Sequence, residues 1–239
     1  MPKNLENPDF EEIKSNSYEK FQFEEEIKNF PELTKGKDLW QNKFHEFDVY
    51  EHSLKFVEFI KKFAQQNNKS LDPNIVAAAY LHDIGKPVIA KEKIKDGILL
   101  EKEPGKPYHE FDDHEILGEQ MVRKMPNNFF DSYSLDQEKV AKLVGAHFIP
   151  MKSIKQMRKT TNFLDFVSSY HELEKRLDET GLTREEVMEL FVADSYAKGT
   201  GCTDLDELIK TMEAVLSGGQ EEKIKELYKI EKSMYGNKE

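Results

Sequence analysis

Ala77-Ala78-Ala79-Tyr80-Leu81-His82-Asp83-Ile84-Gly85-Lys86-Pro87 is the stretch whose reading decides the fold. Extended back to Pro73, it is apolar nearly all round, the pattern of a central helix rather than a surface one. Asp72-Pro73 supplies an N-cap and a proline at the first helical position. The pattern predicts a helix over 73–84, with Gly85 as its C-terminal cap and Pro87 forbidding continuation. His82 and Asp83 then stand at the inner end of a buried helix. Polar side chains in such a place must be hydrogen-bonded, paired or bound to a metal. Their partners have to come from other parts of the chain.

Working outward, helical periodicity recurs on both sides. Over 48–63, Val49, His52, Phe56, Phe59, Ile60 and Phe63 fall at three- and four-residue steps, so His52 shares the apolar face. Residues 88–112 are irregular; Lys95-Asp96-Gly97-Ile98 suits a short β-hairpin, and Pro104-Gly105-Lys106-Pro107 reads as a loop. A helix over 114–125 carries Leu117, Met121, Val122 and Met125 on one face, with His114 in line. Gly118 permits close approach of a neighbouring helix, and Pro126 ends the segment. Over 136–148 the stripe is Val140, Leu143, Val144 and His147. A helix over 163–177 follows. Thr183-Arg184-Glu185-Glu186 is a capping box that opens another, with the stripe Val187, Leu190, Phe191 and Asp194. Lys198-Gly199-Thr200-Gly201 breaks it, and two amphipathic helices span 204–216 and 221–234.

The expected architecture is all-α, a helical bundle with a small irregular or β-hairpin insert. Residues 1–44 read as an extension packed on the core, 45–201 as the main body, and 202–239 as helices completing the same domain. The extension should hold one or two short helices or a mobile arm, with Glu24-Glu25-Glu26 as a solvated face. At 239 residues and 38% hydrophobic content the chain can bury a sizeable core. A net charge of −11 argues against an extended nucleic-acid footprint and against a membrane surface. The lone Cys202 excludes an internal disulfide and fits a reducing cytoplasm. Apolar runs such as 75–81 are too short to span a bilayer.

His52, His82, Asp83, His114, His147 and Asp194 all fall on inward faces, drawn from five helices. Any one of the histidines alone reads more naturally as a satisfied core residue. Six together, including a carboxylate that is costly to bury unpaired, point to mutual coordination of metal. Imidazole and carboxylate without thiolate suit one or two divalent transition ions, Fe, Mn, Ni, Zn or Co, and disfavour a structural zinc site. His52, His82, Asp83 and Asp194 suffice for one ion; His114 and His147 could hold a second, with Asp83 bridging. Such a pair of ions can clamp a phosphoryl group and activate water.

The order His…His-Asp…His…His…Asp resembles the HD-domain superfamily of metal-dependent phosphohydrolases. The matching pieces are 45–54 (HEFDVYEHSL), 81–87 (LHDIGKP), 113–118 (DHEILG), 143–147 (LVGAH) and 193–199 (ADSYAKG). Within that superfamily the likeness is greatest to the HD domain of bacterial tRNA nucleotidyltransferases and poly(A) polymerases. Nothing in residues 1–44 resembles a nucleotidyltransferase catalytic domain, so a stand-alone HD protein is expected. The resemblance implies an HD fold and metal ligation by His52, His82, Asp83 and Asp194, with His114 and His147 as second-metal ligands or phosphate contacts. It implies a phosphohydrolase acting on a nucleotide or other small phosphate ester, in which metal-bound water attacks phosphorus. Asp83 and Lys86 would then be the catalytic pair, Lys86 holding a phosphate oxygen or, equally, compensating a helix dipole. Two alternatives stay open: an HD-fold di-iron oxygenase, and a non-catalytic nucleotide-binding regulatory module.

Other candidates are weaker. His45 and Asp48 precede the 48–63 helix and could support a ligand histidine, while Asp48 could equally be its N-cap. His109, Asp112 and Asp113 crowd the loop before His114 and could line the substrate entrance. Lys152, Lys155, Arg158 and Lys159 form a basic run in a segment, 149–162, that reads as a loop; Lys152 is its candidate substrate contact. His171, among Glu172, Glu174 and Lys175, reads as surface.

Overall fold

The computed structural model describes residues 21–66, 68–199 and 205–235. Expectations for residues 1–20, for Thr200 and Gly201, for Cys202 and for the first residue of the 204–216 helix lie outside them. Two short helices open the described chain, α1 (Glu24–Ile27) and α2 (Pro31–Thr34). They seat Phe23, Ile27 and Leu33 in the core. The acidic run beside them is not uniformly solvated. Glu24 is buried and accepts hydrogen bonds from the Tyr80 hydroxyl at 2.9 Å and from Lys61. Its charge is therefore compensated inside the fold, which residue type alone did not reveal.

The long helix α3 (Val49–Gln66) starts on Asp48, whose Oδ1 accepts the Glu51 amide at 2.8 Å; Asp48 is its N-cap. The central helix α4 (Pro73–Leu81) is capped by Asp72 through the Asn74 amide, and Ile75 to Leu81 are all buried. It ends earlier than periodicity suggests. After a tight turn, α5 (Lys86–Ile89) starts with Pro87 in its first turn. Gly85 is not a left-handed cap: its φ is −72°. A glycine is needed there because a Cβ would collide with the carbonyl oxygen of His114 and sit 3.0 Å from the Gly118 amide.

The insert is more ordered than expected. It contains β1 (Lys91–Glu92), β2 (Ile94–Lys95), β3 (Ile98–Leu99), β4 (Glu101–Glu103), β5 (Lys106–Pro107) and β6 (His109–Glu110), paired antiparallel as β1–β6, β2–β3 and β4–β5. Asp96 and Gly97 turn the β2–β3 hairpin with φ of 53° and 78°, the primed geometry that matches strand twist.

Helix α6 (His114–Lys124) packs on α8 (Gln137–Ala146), where Gly118 lets Val144 approach; a Cβ at Gly118 would lie 3.0 Å from Val144 Cγ1. Between them Pro126 does end α6, but α7 (Asn127–Ser132) follows at once and buries Phe129 and Phe130. The segment read as a loop over 149–162 is largely helix α9 (Ile149–Arg158), which buries Pro150, Ile154 and Met157. Its apolar spacing is real but is masked in the sequence by the basic residues on its outer side. Then come α10 (Phe163–Glu179), α11 (Arg184–Tyr196) with the expected Thr183/Glu186 capping box, α12 (Leu205–Leu216) and α13 (Glu221–Tyr235).

Two apolar clusters result. One gathers residues of α1 to α4 and α6 to α8; the other gathers α9 to α13 with Ala146 from the end of α8. Helix α11 joins them, giving Leu190 and Ala193 to the first and Phe191 and Val192 to the second. Each large side chain so buried contributes about 1.5–3 kcal/mol. No helix of the described residues is long and apolar enough to cross a membrane.

Candidate metal centre

The ends of α4 and α8 build the centre from a common piece of helix geometry. The last carbonyls of a helix lack intrahelical partners. His82 is the C-cap of α4, and its Nδ1 lies 2.9 Å from the free carbonyl of Ala79. His147 is the C-cap of α8, and its Nδ1 lies 2.6 Å from the carbonyl of Val144. His114 opens α6 and meets the Phe111 carbonyl at 2.9 Å. His52, from α3, reaches across to the carbonyl of Ala197, just past α11, at 3.1 Å. A carbonyl can only accept, so all four rings carry a proton on Nδ1 and turn Nε2 inward.

Asp83 lies between those four nitrogens. Its Oδ2 is 3.1 Å from His82 Nε2 and 3.8 Å from His52 Nε2. Its Oδ1 is 3.3 Å from His114 Nε2 and 3.9 Å from His147 Nε2. Asp194 approaches the first pair, with Oδ1 2.8 Å from His52 Nε2 and 3.8 Å from His82 Nε2. The six residues that periodicity placed on inward faces thus meet at one point, all of them buried. Two groups could hold an ion, His52 with His82 and Asp83, and Asp83 with His114 and His147.

The donor chemistry fits metal. His82 Nε2, His114 Nε2 and Asp83 Oδ1 are buried with no hydrogen-bond partner. Imidazole lone pairs facing carboxylate lone pairs at these distances need a proton or a cation between them. Burial and the neighbouring His82 and His114 push His147 down to about 3, so it is neutral at pH 7. Burial alone would raise the Asp83 carboxyl, but His82 and Lys86 beside it hold it well below the usual range. Asp194 likewise is held below the usual carboxylate range against its burial, with His52 beside it and the charge of Lys198.

A family model described as HD domain matches residues 49–199, from the first residue of α3 to just past α11. The chain belongs to the HD-domain family. The match covers all six clustered residues, and HD domains bind divalent metals. A search of curated proteins finds no match.

Around the HD-domain centre the remaining candidates separate. Lys86 is buried, with Nζ 2.6 Å from Asp83 Oδ2 and 2.5 Å from Gln41 Oε1, so its charge is already directed at the central carboxylate. His45 packs edge-on to His52 at 5.3 Å between ring centres, with Nδ1 3.0 Å from Asn42 Oδ1. Burial and the charges of His52, Lys86 and Lys198 hold it well below the usual imidazole range. His109 on β6 has its Nδ1 3.0 Å from the Trp40 carbonyl and its ring stacked on Phe111 at 6.2 Å. Lys152 on α9 binds Asp113 at 2.9 Å and the buried Glu115. His171 is exposed and bound to Glu174.

Sequence reading missed Gln41. Its oxygen is committed to Lys86, which fixes the amide orientation and leaves Nε2 buried without a partner. No spacing rule could find it, because a loop residue reaches the centre only through the tertiary fold.

Proposed function

We propose that this HD-domain chain is a metal-dependent phosphohydrolase that cleaves phosphate mono- or diesters of a nucleotide or related small molecule. The observation that carries the reading is Asp83, with one oxygen toward each histidine pair and every inward Nε2 freed by an Nδ1–carbonyl bond. His52, His82, Asp83 and Asp194 would hold one ion, and Asp83, His114 and His147 a second. Divalent ions bound there would polarise a phosphoryl oxygen and supply hydroxide at neutral pH.

The chain's own residues do the rest. Four backbone carbonyls set the tautomers, so no imidazole has to lose a proton to become a ligand. Lys86, anchored by Gln41, keeps Asp83 ionised and fixes its rotamer. His45 remains neutral, its Nδ1–H donating to Asn42 and its ring packed edge-on to His52.

The test loads the protein separately with Mn, Fe, Ni, Zn and Co and measures phosphate release from a panel of mono- and diesters. Release that is abolished by a chelator and restored by metal is expected. Oxygen uptake on a carbon substrate without phosphate release would replace the reading with an oxygenase. Nucleotide binding without turnover in every metal form would replace it with a binding module.

A further inference from the structure

Most cations around the centre are already neutralised. Lys86 is held by Asp83, Lys152 by Asp113 and Glu115, and Arg158 by Glu207. Two lysines are different. Lys155, on α9, lies with Nζ 5.2 Å from the centre of the Phe148 ring. That ring packs against His114 at 5.3 Å and His147 at 5.9 Å, so one aromatic ring separates Lys155 from the second histidine pair. Lys198 stands one turn beyond Asp194, past the end of α11, close enough for its charge to act on both Asp194 and His45. Its carbonyl accepts the Glu46 amide at 2.9 Å, which pins the backbone there.

Among the described residues neither ammonium has a carboxylate partner. Beside burial, the charge of Lys198 is the foremost influence lowering Lys155, followed by Arg158, Lys152 and Lys159, so Lys198 lies within reach of Lys155. Two cations placed beside the ligand cluster without a carboxylate partner would favour a bound anion. Lysine acts here as a point charge, able to meet phosphate or carboxylate.

We propose that Lys155 and Lys198 clamp a second anionic group of the substrate, so the preferred substrate is a phosphate ester bearing a further phosphate or carboxylate beside the one cleaved. This rests on the phosphohydrolase reading of the metal centre. It assigns specificity to Lys155 and Lys198, not to Lys152, whose charge is already satisfied.

Equilibrium binding to the Mn-loaded protein tests it with two matched pairs. The phosphate arm compares adenosine 3′,5′-bisphosphate with adenosine 5′-monophosphate. The carboxylate arm compares 3-phosphoglycerate with glycerol 3-phosphate. In at least one arm the doubly anionic ligand should bind about tenfold more tightly, and the ratio should fall toward one in Lys155→Gln/Lys198→Gln. Lys159→Gln, from the same basic run, should leave the ratio as in the native chain. The arm that responds names the second group. Elemental analysis of each variant confirms that the metal content has not changed.

A ratio near one in both arms of the native protein, or a ratio that survives in the double variant, overturns the clamp. The two readings fail separately. A lysine-dependent ratio in a protein that hydrolyses no ester keeps the clamp and removes the hydrolase. Ester hydrolysis with no lysine-dependent ratio does the reverse.

Discussion

Asp83→Asn probes the centre at its middle, because it keeps the side-chain shape and removes the charge. Among the described residues the group Asp83, His114 and His147 contains no other carboxylate, whereas the His52–His82 pair also has Asp194. At about 4 Å and an effective dielectric near 20, a unit charge pair interacts by about 4 kcal/mol. That corresponds to roughly a thousandfold in affinity, and a divalent ion feels at least as much. The His114–His147 half should therefore lose its ion at micromolar free metal, and the His52–His82 half should bind more weakly. The substitution also strips Lys86 of its ionic partner, leaving a buried ammonium on Gln41 alone. Breaking a buried pair in this way costs about 3–5 kcal/mol. Adding Lys86→Met should recover much of that stability without recovering metal, which separates the two effects. The assay is metal content by inductively coupled plasma mass spectrometry after dialysis, beside thermal melting of native, single and double variants. Native metal content and affinity in Asp83→Asn would refute the reasoning, since the ions would then have to lie elsewhere.

Two further outcomes follow from the packing. Gly85→Ala places a methyl group against the His114 carbonyl and the Gly118 amide, and should cost about 1–3 kcal/mol in urea unfolding while weakening metal binding through His114; a variant of native stability would show that α5 and α6 are not held this closely. Glu24→Gln should lose stability in a pH-dependent way. Burial opposes ionisation of Glu24, but Lys61, the Phe21 amide and Tyr80 hold its carboxyl below the ordinary value. A depressed carboxyl stabilises the fold above its unfolded value of about 4.3, and that contribution fades as pH falls through the lower folded value. The gap between native and variant stability should thus be full at pH 7 and shrink toward pH 3; a gap independent of pH would show that the ionised form is not what matters.

The sequence by itself determined the helices and the inward faces. Periodicity is a local property: residues three and four apart share a face whatever the rest of the chain does. That was enough to place His52, His114, His147 and Asp194 on the same side as their apolar neighbours, and His82-Asp83 at a buried helix end. Local pattern was also enough for the Thr183 capping box, the Asp72 cap and the Asp96-Gly97 hairpin, because each is set by contacts within a few residues. It misread α9 as loop, since a basic outer face obscured its apolar side, and it ended α4 too late.

Only the tertiary structure decided how charges and close contacts are shared between elements. Glu24 is buried because Tyr80 and Lys61 arrive from α4 and α3 to meet it. Gly85 is required by a carbonyl of α6, not by its own backbone angle. Lys86 turned out to be anchored by Gln41, and Lys152 to be neutralised, while Lys155 came to lie over the Phe148 ring beside the histidines. The division of Asp83, one oxygen to each histidine pair, belongs to the same class. A residue's periodicity says which way it faces; what it meets there depends on side chains that come from far along the chain.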